Sequence, residues 1–184
     1  ICTKQKIKNP STKKIKIVKC ISECIKEKPN IGIISNETSY HLKVAIKLAN
    51  AGVDLFIEKP LSNTLVETKK LVRIIKKKKL ITQIGCQLRF HKCIKEIKQL
   101  ISSKKLGKII SVRAECGSFL PDWHPSEDYT KSYASRKELG GGVILTNIHE
   151  LDYLYWFFGE ITEVFTIAKN SGNLKISVDD LALG

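Results

Sequence analysis

The chain has 184 residues, of which 42% are hydrophobic and 27% are charged. This composition is typical of a globular protein that can bury a core, and it excludes a disordered segment. The formal net charge of +14 comes from 32 basic residues against 18 acidic ones, and only four of the basic residues are arginine. Because proteins that bind nucleic acid rely on bidentate arginine, the lysine surplus argues against nucleic-acid binding.

No segment approaches 18 uninterrupted apolar residues, and the opening ICTKQKIKNP has no apolar signal core. We therefore expect no membrane span, no secretory leader and a cytoplasmic location. The six cysteines include no CxxC pair, which argues against a zinc ribbon or a disulfide framework. They are expected to be reduced and mostly buried, with no metal site.

The first half of the chain alternates strand and helix patterns. Residues 31–35 and 53–57 are short apolar runs, and apolar residues recur between them at helical spacing until Gly52. A second helix is predicted over 65–79, capped by Ser62 or Thr64 and followed by the apolar segment 80–85. Two βαβ units of this kind predict a parallel sheet that is covered by helices on both faces.

The second half begins with an amphipathic helix predicted over 92–105, which places Ile94, Ile97 and Ile101 on one stripe. Residues 108–116 then form a strand pattern. Residues 117–139 are a polar stretch that is too long for an ordinary connection, and loops of that length usually carry function. Two further strands are predicted over 162–169 and 174–183, around a turn at 170–173. The strand patterns at both ends are cut short, so we expect an internal piece of a longer protein.

Glu58-Lys59-Pro60 directly follows the apolar run 53–57. In an open parallel sheet the carboxyl ends of the strands form the ligand crevice, and the proline keeps Lys59 out of a helical conformation. A lysine at that position becomes available for proton transfer when burial or a neighbouring cation lowers its pKa. The alternative is a surface Glu–Lys pair before a turn.

Three successive glycines, Gly140 to Gly142, precede a helix predicted over 148–158 that ends at Gly159. The glycines allow a close approach of the backbone to another surface or a ligand. His149 and Asp152 lie one turn apart on a face of this helix that also carries Tyr153 and Trp156. The histidine either exchanges a proton near neutral pH or is a packed residue satisfied by Asp152.

In this order, the segments 33–64, 81–92, 104–115 and 140–160 resemble the Gfo/Idh/MocA family of nicotinamide-dependent oxidoreductases. The resemblance implies an α/β protein: a partial Rossmann-type parallel sheet, then part of an α/β domain with an open, mainly antiparallel sheet. The predicted domains are residues 1–91, the end of the dinucleotide-binding domain, and 92–184, the start of the substrate and oligomerisation domain. The family's GxGxxG unit and its C-terminal end do not occur in this sequence.

The resemblance assigns Lys59 and His149 as the catalytic residues, with either one as the proton carrier. Two departures from the family are Glu37, where many members have proline, and Thr146, where many have an acidic residue. The residues implied to bind the cofactor are Thr3, Lys4, Ser35, Asn36, Thr38, His41, Glu58, Lys59, Gln87 and Arg89. The residues assigned to the substrate are Trp123, His124, Tyr129, Arg136, Thr146, Asn147 and Asp152.

The implied activity is hydride transfer between NAD or NADP and a hydroxyl- or keto-bearing carbon of a sugar, nucleotide sugar or cyclitol. Lys4 stands where an acidic residue usually binds the ribose, which favours NADP. The resemblance also implies a homo-oligomer formed through the open sheet. Two alternatives are a non-catalytic remnant of the same family, favoured by Thr146 and the missing glycine-rich turn, and a basic module that binds polyanions.

Overall fold

The computed structural model describes residues 1–3 and 15–184. The chain divides into two compact units, one formed by Ile1–Asn36 and Tyr40–Ile84 and the other by Glu37–Ser39 and Gly85–Gly184. The α/β fold class predicted from the sequence is confirmed. None of the helices in the described ranges is long and apolar enough to cross a membrane.

The first unit contains the three-stranded parallel sheet that the two βαβ patterns predict. Its strands are β1 (Ile31–Ile34), β2 (Asp54–Ile57) and β3 (Thr82–Ile84), in the order β1-β2-β3. Its helices are α1 (Ile21–Lys26), α2 (His41–Asn50) and α3 (Thr68–Lys78). A single parallel bridge between Cys2 and Val18 lies beside these elements.

One face of this sheet carries the core. The buried residues of the main cluster come from the strands and from α2 and α3, and Ile25 of α1 packs against the same cluster. The prediction of helices on both faces is wrong for the described residues: β1 buries Ile34, while Ile33 is 74% exposed and Ile31 is 63% exposed. Side chains alternate along a strand, and all three helices join the cluster on the Ile34 side.

Helix α3 begins later than predicted, at Thr68, because the residues before it form tight turns. The hydroxyl of Ser62 accepts a hydrogen bond from the Thr64 amide, and that of Thr64 accepts one from the Val66 amide. These two residues therefore stabilise local turns and do not cap the helix. Lys76, Lys77 and Lys78 occupy the last turn of α3, where their positive charge complements the carbonyl end of the helix.

The second unit has α4 (Lys92–Ser102), the short helix α5 (Val143–Thr146), α6 (Ile148–Phe158) and the antiparallel strands β4 (Ile167–Lys169) and β5 (Leu181–Leu183). Helix α6 ends at Gly159, as predicted, with a φ of 88°. On α4, Ile97 is 41% exposed, so the predicted apolar stripe is only partly covered.

The strand predicted over 108–116 is wrong, and the two later strands are shorter than predicted. Residues 108–119 have no regular secondary structure, and Ile110 is 86% exposed. A strand needs a neighbouring strand to form hydrogen bonds with its backbone N–H and C=O groups. All residues of the second unit are described, and the only strand pairing within it is that of β4 with β5. The turn predicted at 170–173 is present, and in it the Gly172 amide donates a hydrogen bond to the side-chain oxygen Oδ1 of Asn170 at 2.7 Å.

The loop 117–139 folds into successive 3₁₀ turns, and the three glycines pack against it. A Cβ added at Gly141 would lie 2.5 Å from the carbonyl oxygen of Ala134, closer than a side chain tolerates. The amides of Gly141 and Gly142 donate to the carbonyls of Arg136 and Ala134. The close backbone approach predicted for this segment is therefore confirmed, and its partner is the chain itself.

The six cysteines are free thiols, but the prediction that they are mostly buried is wrong. Cys24 and Cys86 are half-buried and the other four are exposed. The core of the first unit is formed instead by Ile, Leu, Val and Ala side chains.

Candidate functional site

In the first unit, polar residues follow two neighbouring strands at the same edge of the sheet. Ser35 and Asn36 come directly after β1, and Glu58 and Lys59 come directly after β2. The two strands are parallel and in register, and the Glu58 amide donates to the Ile34 carbonyl at 2.9 Å. These four residues therefore lie at the carboxyl edge of the sheet, where open α/β sheets bind their ligands.

His41 holds the two loops of this edge together. Its Nδ1 lies 2.8 Å from the carbonyl oxygen of Pro60, and its Nε2 lies 2.8 Å from the carbonyl oxygen of Asn36. The residue is only 1% exposed and is the first residue of α2. A backbone carbonyl oxygen thus faces each ring nitrogen, the N–H of a neutral ring donates to one of them, and the ring lies between the two loops.

The other residues assigned to the cofactor differ in exposure. Ser35 and Asn36 are exposed, Glu58 and Lys59 are half-buried, and Thr38 is 2% exposed. The Thr3 amide donates to the Val18 carbonyl at 3.0 Å, beside the Cys2–Val18 bridge. Lys4 lies outside the described residues.

In the second unit, a 3₁₀ turn at Gln87–Phe90 contacts the first half of α6. The Gln87 amide nitrogen lies 3.2 Å from His149 Nε2. Arg89 donates two hydrogen bonds to the Asp152 carboxylate, from Nε at 2.8 Å and from Nη2 at 2.6 Å. The structure therefore brings together four residues that the sequence assigned separately to cofactor, proton transfer and substrate.

The Arg89–Asp152 pair is anchored further by an aromatic ring. The guanidinium carbon of Arg89 lies 5.7 Å from the centre of the Trp156 ring, a cation–π distance. The hydrogen bonds to Asp152 raise the pKa of Arg89 above its already high normal value, so the guanidinium remains charged. Lys98 donates to the Trp156 carbonyl at 2.6 Å, and this contact at the end of α6 was missed from the sequence because the two residues are 58 positions apart.

A second group of ionisable residues surrounds Glu150. Burial, with Glu150 nearby, raises the pKa of the Cys116 thiol and that of the Tyr153 phenol. Asp152, two residues further along α6, is paired with Arg89 instead.

A cavity of about 460 Å³ lies within the second unit. Trp123, Thr146 and Asn147, three residues that the sequence assigned to the substrate, line its wall. Asp179 and Asp180, which were not among the residues predicted from the sequence, line the same cavity and directly precede β5. Their signal in the sequence is a pair of adjacent carboxylates, which can accept hydrogen bonds from hydroxyl groups.

The remaining substrate assignments lie elsewhere in the second unit. His124 and Tyr129 line a separate small cavity of about 10 Å³ together with Trp123. Arg136 donates to the Glu138 carboxylate at 2.6 Å, and the Thr146 hydroxyl donates to the Gly142 carbonyl at 2.6 Å. The structure brings Trp123, Thr146 and Asn147 together and leaves Arg136 bound to a neighbour in its own turn.

Comparison with known proteins gives consistent matches to both halves of the chain. A family model described as an oxidoreductase family with an NAD-binding Rossmann fold, GFO/IDH/MocA, matches residues 4–86, and the GFO/IDH/MocA C-terminal domain matches residues 94–184. The chain is 32% identical to the scyllo-inositol 2-dehydrogenase (NAD(+)) of Bacillus subtilis, over 72% of this chain and 36% of that protein. It is 29% identical to the levoglucosan dehydrogenase of Pseudarthrobacter phenanthrenivorans, over 74% of this chain and 35% of that protein.

Among solved structures, the chain resembles the WlbA dehydrogenase of Bordetella pertussis, determined with NADH and UDP-GlcNAcA. The TM-score is 0.77 at 16% identity, covering 94% of this chain and 53% of that protein. At this identity the likeness shows the fold. The chain spans between 31% and 40% of the length of the curated relatives that it matches.

Proposed function

Because this chain belongs to the Gfo/Idh/MocA family of oxidoreductases, we propose that it acts in hydride transfer between a nicotinamide cofactor and a hydroxyl-bearing carbon of a sugar, nucleotide sugar or cyclitol. The observation that carries the proposal is the position of Glu58 and Lys59 at the carboxyl edge of a parallel sheet. The relatives support the substrate class, since they include an inositol dehydrogenase and a levoglucosan dehydrogenase.

The residues at this edge fit a dinucleotide in their chemistry. Ser35 and Asn36 offer exposed hydroxyl and amide groups after β1, and Glu58 offers a carboxylate that suits ribose hydroxyls. We propose that these three residues hold the cofactor, which supplies or accepts a hydride when bound. His41 keeps the Asn36 and Pro60 loops at a fixed separation, so the edge is shaped before a ligand arrives.

In the proposed mechanism, this chain's residues handle the proton of the substrate hydroxyl. Lys59 stabilises negative charge on the substrate oxygen, and His149 takes or returns the proton. Trp123, Thr146 and Asn147 orient the sugar from the wall of the cavity, where a flat indole suits a sugar face.

The decisive experiment replaces Lys59 by alanine in the protein that contains this chain. A panel of sugars, cyclitols and nucleotide sugars is first screened with NAD and with NADP by the absorbance of the reduced nicotinamide. We then expect Lys59→Ala to lower kcat about 10²- to 10⁴-fold, the usual contribution of a positioned acid–base group. Cofactor affinity changes little.

The control is Lys43→Ala, at an exposed position of α2. Retention of near wild-type turnover by Lys59→Ala, while substrates are oxidised, overturns the role of the lysine. Failure to bind either cofactor overturns the function as a whole.

We also propose that NADP is preferred over NAD, because Lys4 supplies a positive charge suited to a 2′-phosphate. Dissociation constants of the two cofactors for the wild type and for Lys4→Glu test this. We expect tighter binding of NADP by the wild type and a reversal in Lys4→Glu. Equal or tighter binding of NAD by the wild type contradicts the preference.

We propose that the second unit mediates self-association. It carries exposed apolar side chains, among them Ile110 at 86%, Phe165 at 80% and Val164 at 76%, and burial of such side chains against a second copy favours association. Sedimentation measurements across a concentration series test this, with Phe165→Glu expected to shift the distribution to monomer. A monomer at all concentrations contradicts it.

A further inference from the structure

We propose that the amino edge of the sheet in the first unit, where its three strands begin, is a docking surface for a bilayer of anionic phospholipids. This basic edge consists of seven exposed lysines at or just beyond the ends of three helices: Lys26, Lys28, Lys47, Lys76, Lys77, Lys78 and Lys79. None of these residues is assigned to the cofactor, the substrate or the proton, so the surface is independent of the proposed function.

The topology of the first unit brings these lysines to one edge. The three strands are parallel, and each of the helices α1, α2 and α3 leads into the strand that follows it. A helix that leads into a strand ends near the amino end of that strand, so all three helices end at the same edge of the sheet. The helices pack on one face, and α2 contacts both α1 and α3. Because packed helices lie about 10 Å apart, the lysines form a row about 20 Å long.

The lysines outnumber the negative charges at this edge. Glu27 and Asp54 lie there, but Glu27 is paired with Lys16 at 2.7 Å and Asp54 accepts a hydrogen bond from the Ile81 amide at 2.9 Å. None of the seven lysines forms a salt bridge with a described residue. Each helix end adds roughly half a negative charge, so an excess of about three positive charges remains after both carboxylates and all three helix ends are counted. The excess is local, since α6 carries two acidic residues and no lysine or arginine.

The side chains of the basic edge fit a lipid surface better than a nucleic acid. Clusters of about four to eight basic residues are attracted to anionic lipids. Nucleic-acid binding relies on bidentate arginine and on aromatic rings that stack on bases, and the basic edge has neither. Two exposed isoleucines lie at the same edge, Ile31 at the start of β1 and Ile81 directly before β3. Aliphatic side chains beside lysines can enter the boundary between headgroups and acyl chains, which favours a membrane as the partner.

Docking at the basic edge leaves the candidate cofactor site accessible. Ser35 and Glu58 follow the opposite, carboxyl ends of β1 and β2. The four residues of β1 span about 13 Å, and the ten residues of α2 span about 15 Å. A bilayer at the lysines therefore lies on the far side of the sheet from the residues proposed to hold the cofactor, and the first unit can bind both at once.

Co-sedimentation of the 184-residue chain with lipid vesicles tests the proposal. The vesicles consist of phosphatidylcholine alone, or of phosphatidylcholine with about one-third phosphatidylglycerol, which supplies negative charge. We expect the chain to bind the anionic vesicles and to bind the neutral vesicles weakly. Binding should weaken strongly between about 0.1 M and about 1 M salt, because the Debye length falls from about 10 Å to about 3 Å.

Two triple variants with the same change in net charge locate the contact. The edge variant combines three substitutions: Lys47→Gln, Lys76→Gln and Lys77→Gln. Each lysine near an anionic surface contributes about a fivefold factor in affinity, so we expect the edge variant to partition onto anionic vesicles about 10²-fold more weakly than the wild type. The control variant, which should bind like the wild type, changes three exposed lysines of the second unit: Lys92→Gln, Lys105→Gln and Lys108→Gln. Arginine at the three edge positions keeps the charge and should preserve binding.

Loss of binding in the edge variant, with binding kept in the control and arginine variants, supports the proposal. Absence of binding to anionic vesicles, equal binding to neutral vesicles, or equal losses in the edge and control variants overturns it. A fluorescent single-stranded RNA probes the other class of polyanion. If the RNA binds through the basic edge and the vesicles do not, the surface recognises nucleic acid and the lipid proposal is overturned.

Discussion

Replacing His41 by alanine removes the contact that joins the two loops of the sheet edge. The ring is 1% exposed and lies 2.8 Å from the carbonyl oxygens of both Asn36 and Pro60. Loss of the hydrogen bond that the ring N–H donates to one of these carbonyls costs about 0.5–1.5 kcal/mol. The empty space left by a buried ring adds a further loss of packing.

Together these terms predict that His41→Ala lowers the free energy of unfolding by about 3 kcal/mol, roughly a 150-fold change in the folding equilibrium. Since domains are commonly stable by only about 5–15 kcal/mol, the change is large enough to measure. His41→Asn, which keeps one amide donor, should fall between the wild type and the alanine variant.

The assay is urea unfolding of the chain followed by circular dichroism, with His91→Ala as the control because His91 is exposed. Amide hydrogen exchange localises the effect, and we expect faster exchange in residues 58–62 of His41→Ala. If the free energies of unfolding of His41→Ala and His91→Ala agree within about 0.5 kcal/mol, the His41 ring does not hold the two loops and the reasoning is refuted.

Three further outcomes follow from single features of the structure. Gly141→Ala should destabilise the second unit by about 2 kcal/mol or more in urea unfolding, because the new Cβ meets backbone carbonyls, whereas Gly117→Ala, with open space around it, should be nearly neutral. Hydrogen bonds from Ser171 lower the pKa of Asp180 in the folded protein. The stabilisation of the folded state by this carboxylate is therefore complete above the normal carboxyl pKa, and it is lost as the pH falls through the lowered pKa. Asp180→Asn should therefore flatten the acid side of a plot of unfolding midpoint against pH, and an unchanged slope contradicts this. Leu71→Ala should cost about 2–5 kcal/mol, since Leu71 is 2% exposed in the core of the first unit, and a loss below about 1 kcal/mol in urea unfolding would contradict its central place there.

Local patterns in the sequence gave correct predictions where a short range of residues decides the outcome. The two βαβ units follow from apolar runs separated by an amphipathic helix, and the end of α6 follows from Gly159. The place of Glu58 and Lys59 at the sheet edge follows from their position directly after β2. In these cases the signal and the structure lie within a few residues of each other.

Other predictions failed because a partner at long range decides them. Residues 108–116 have the alternating apolar and polar residues of a strand. No strand of the second unit pairs with them, so they do not form a strand. The exposure of Ile33 and of the cysteines depends in the same way on which distant segments pack over them, and the packing cannot be predicted from composition alone.

The sequence by itself determined the order of the two βαβ units in the first unit and the family. Only the tertiary structure decided that His41 bonds the loops of Asn36 and Pro60, and that Arg89 bonds Asp152 across 63 positions. The physical reason is range: helix and turn formation depend on neighbours along the chain, whereas a side-chain hydrogen bond depends on which distant groups packing brings within about 3 Å.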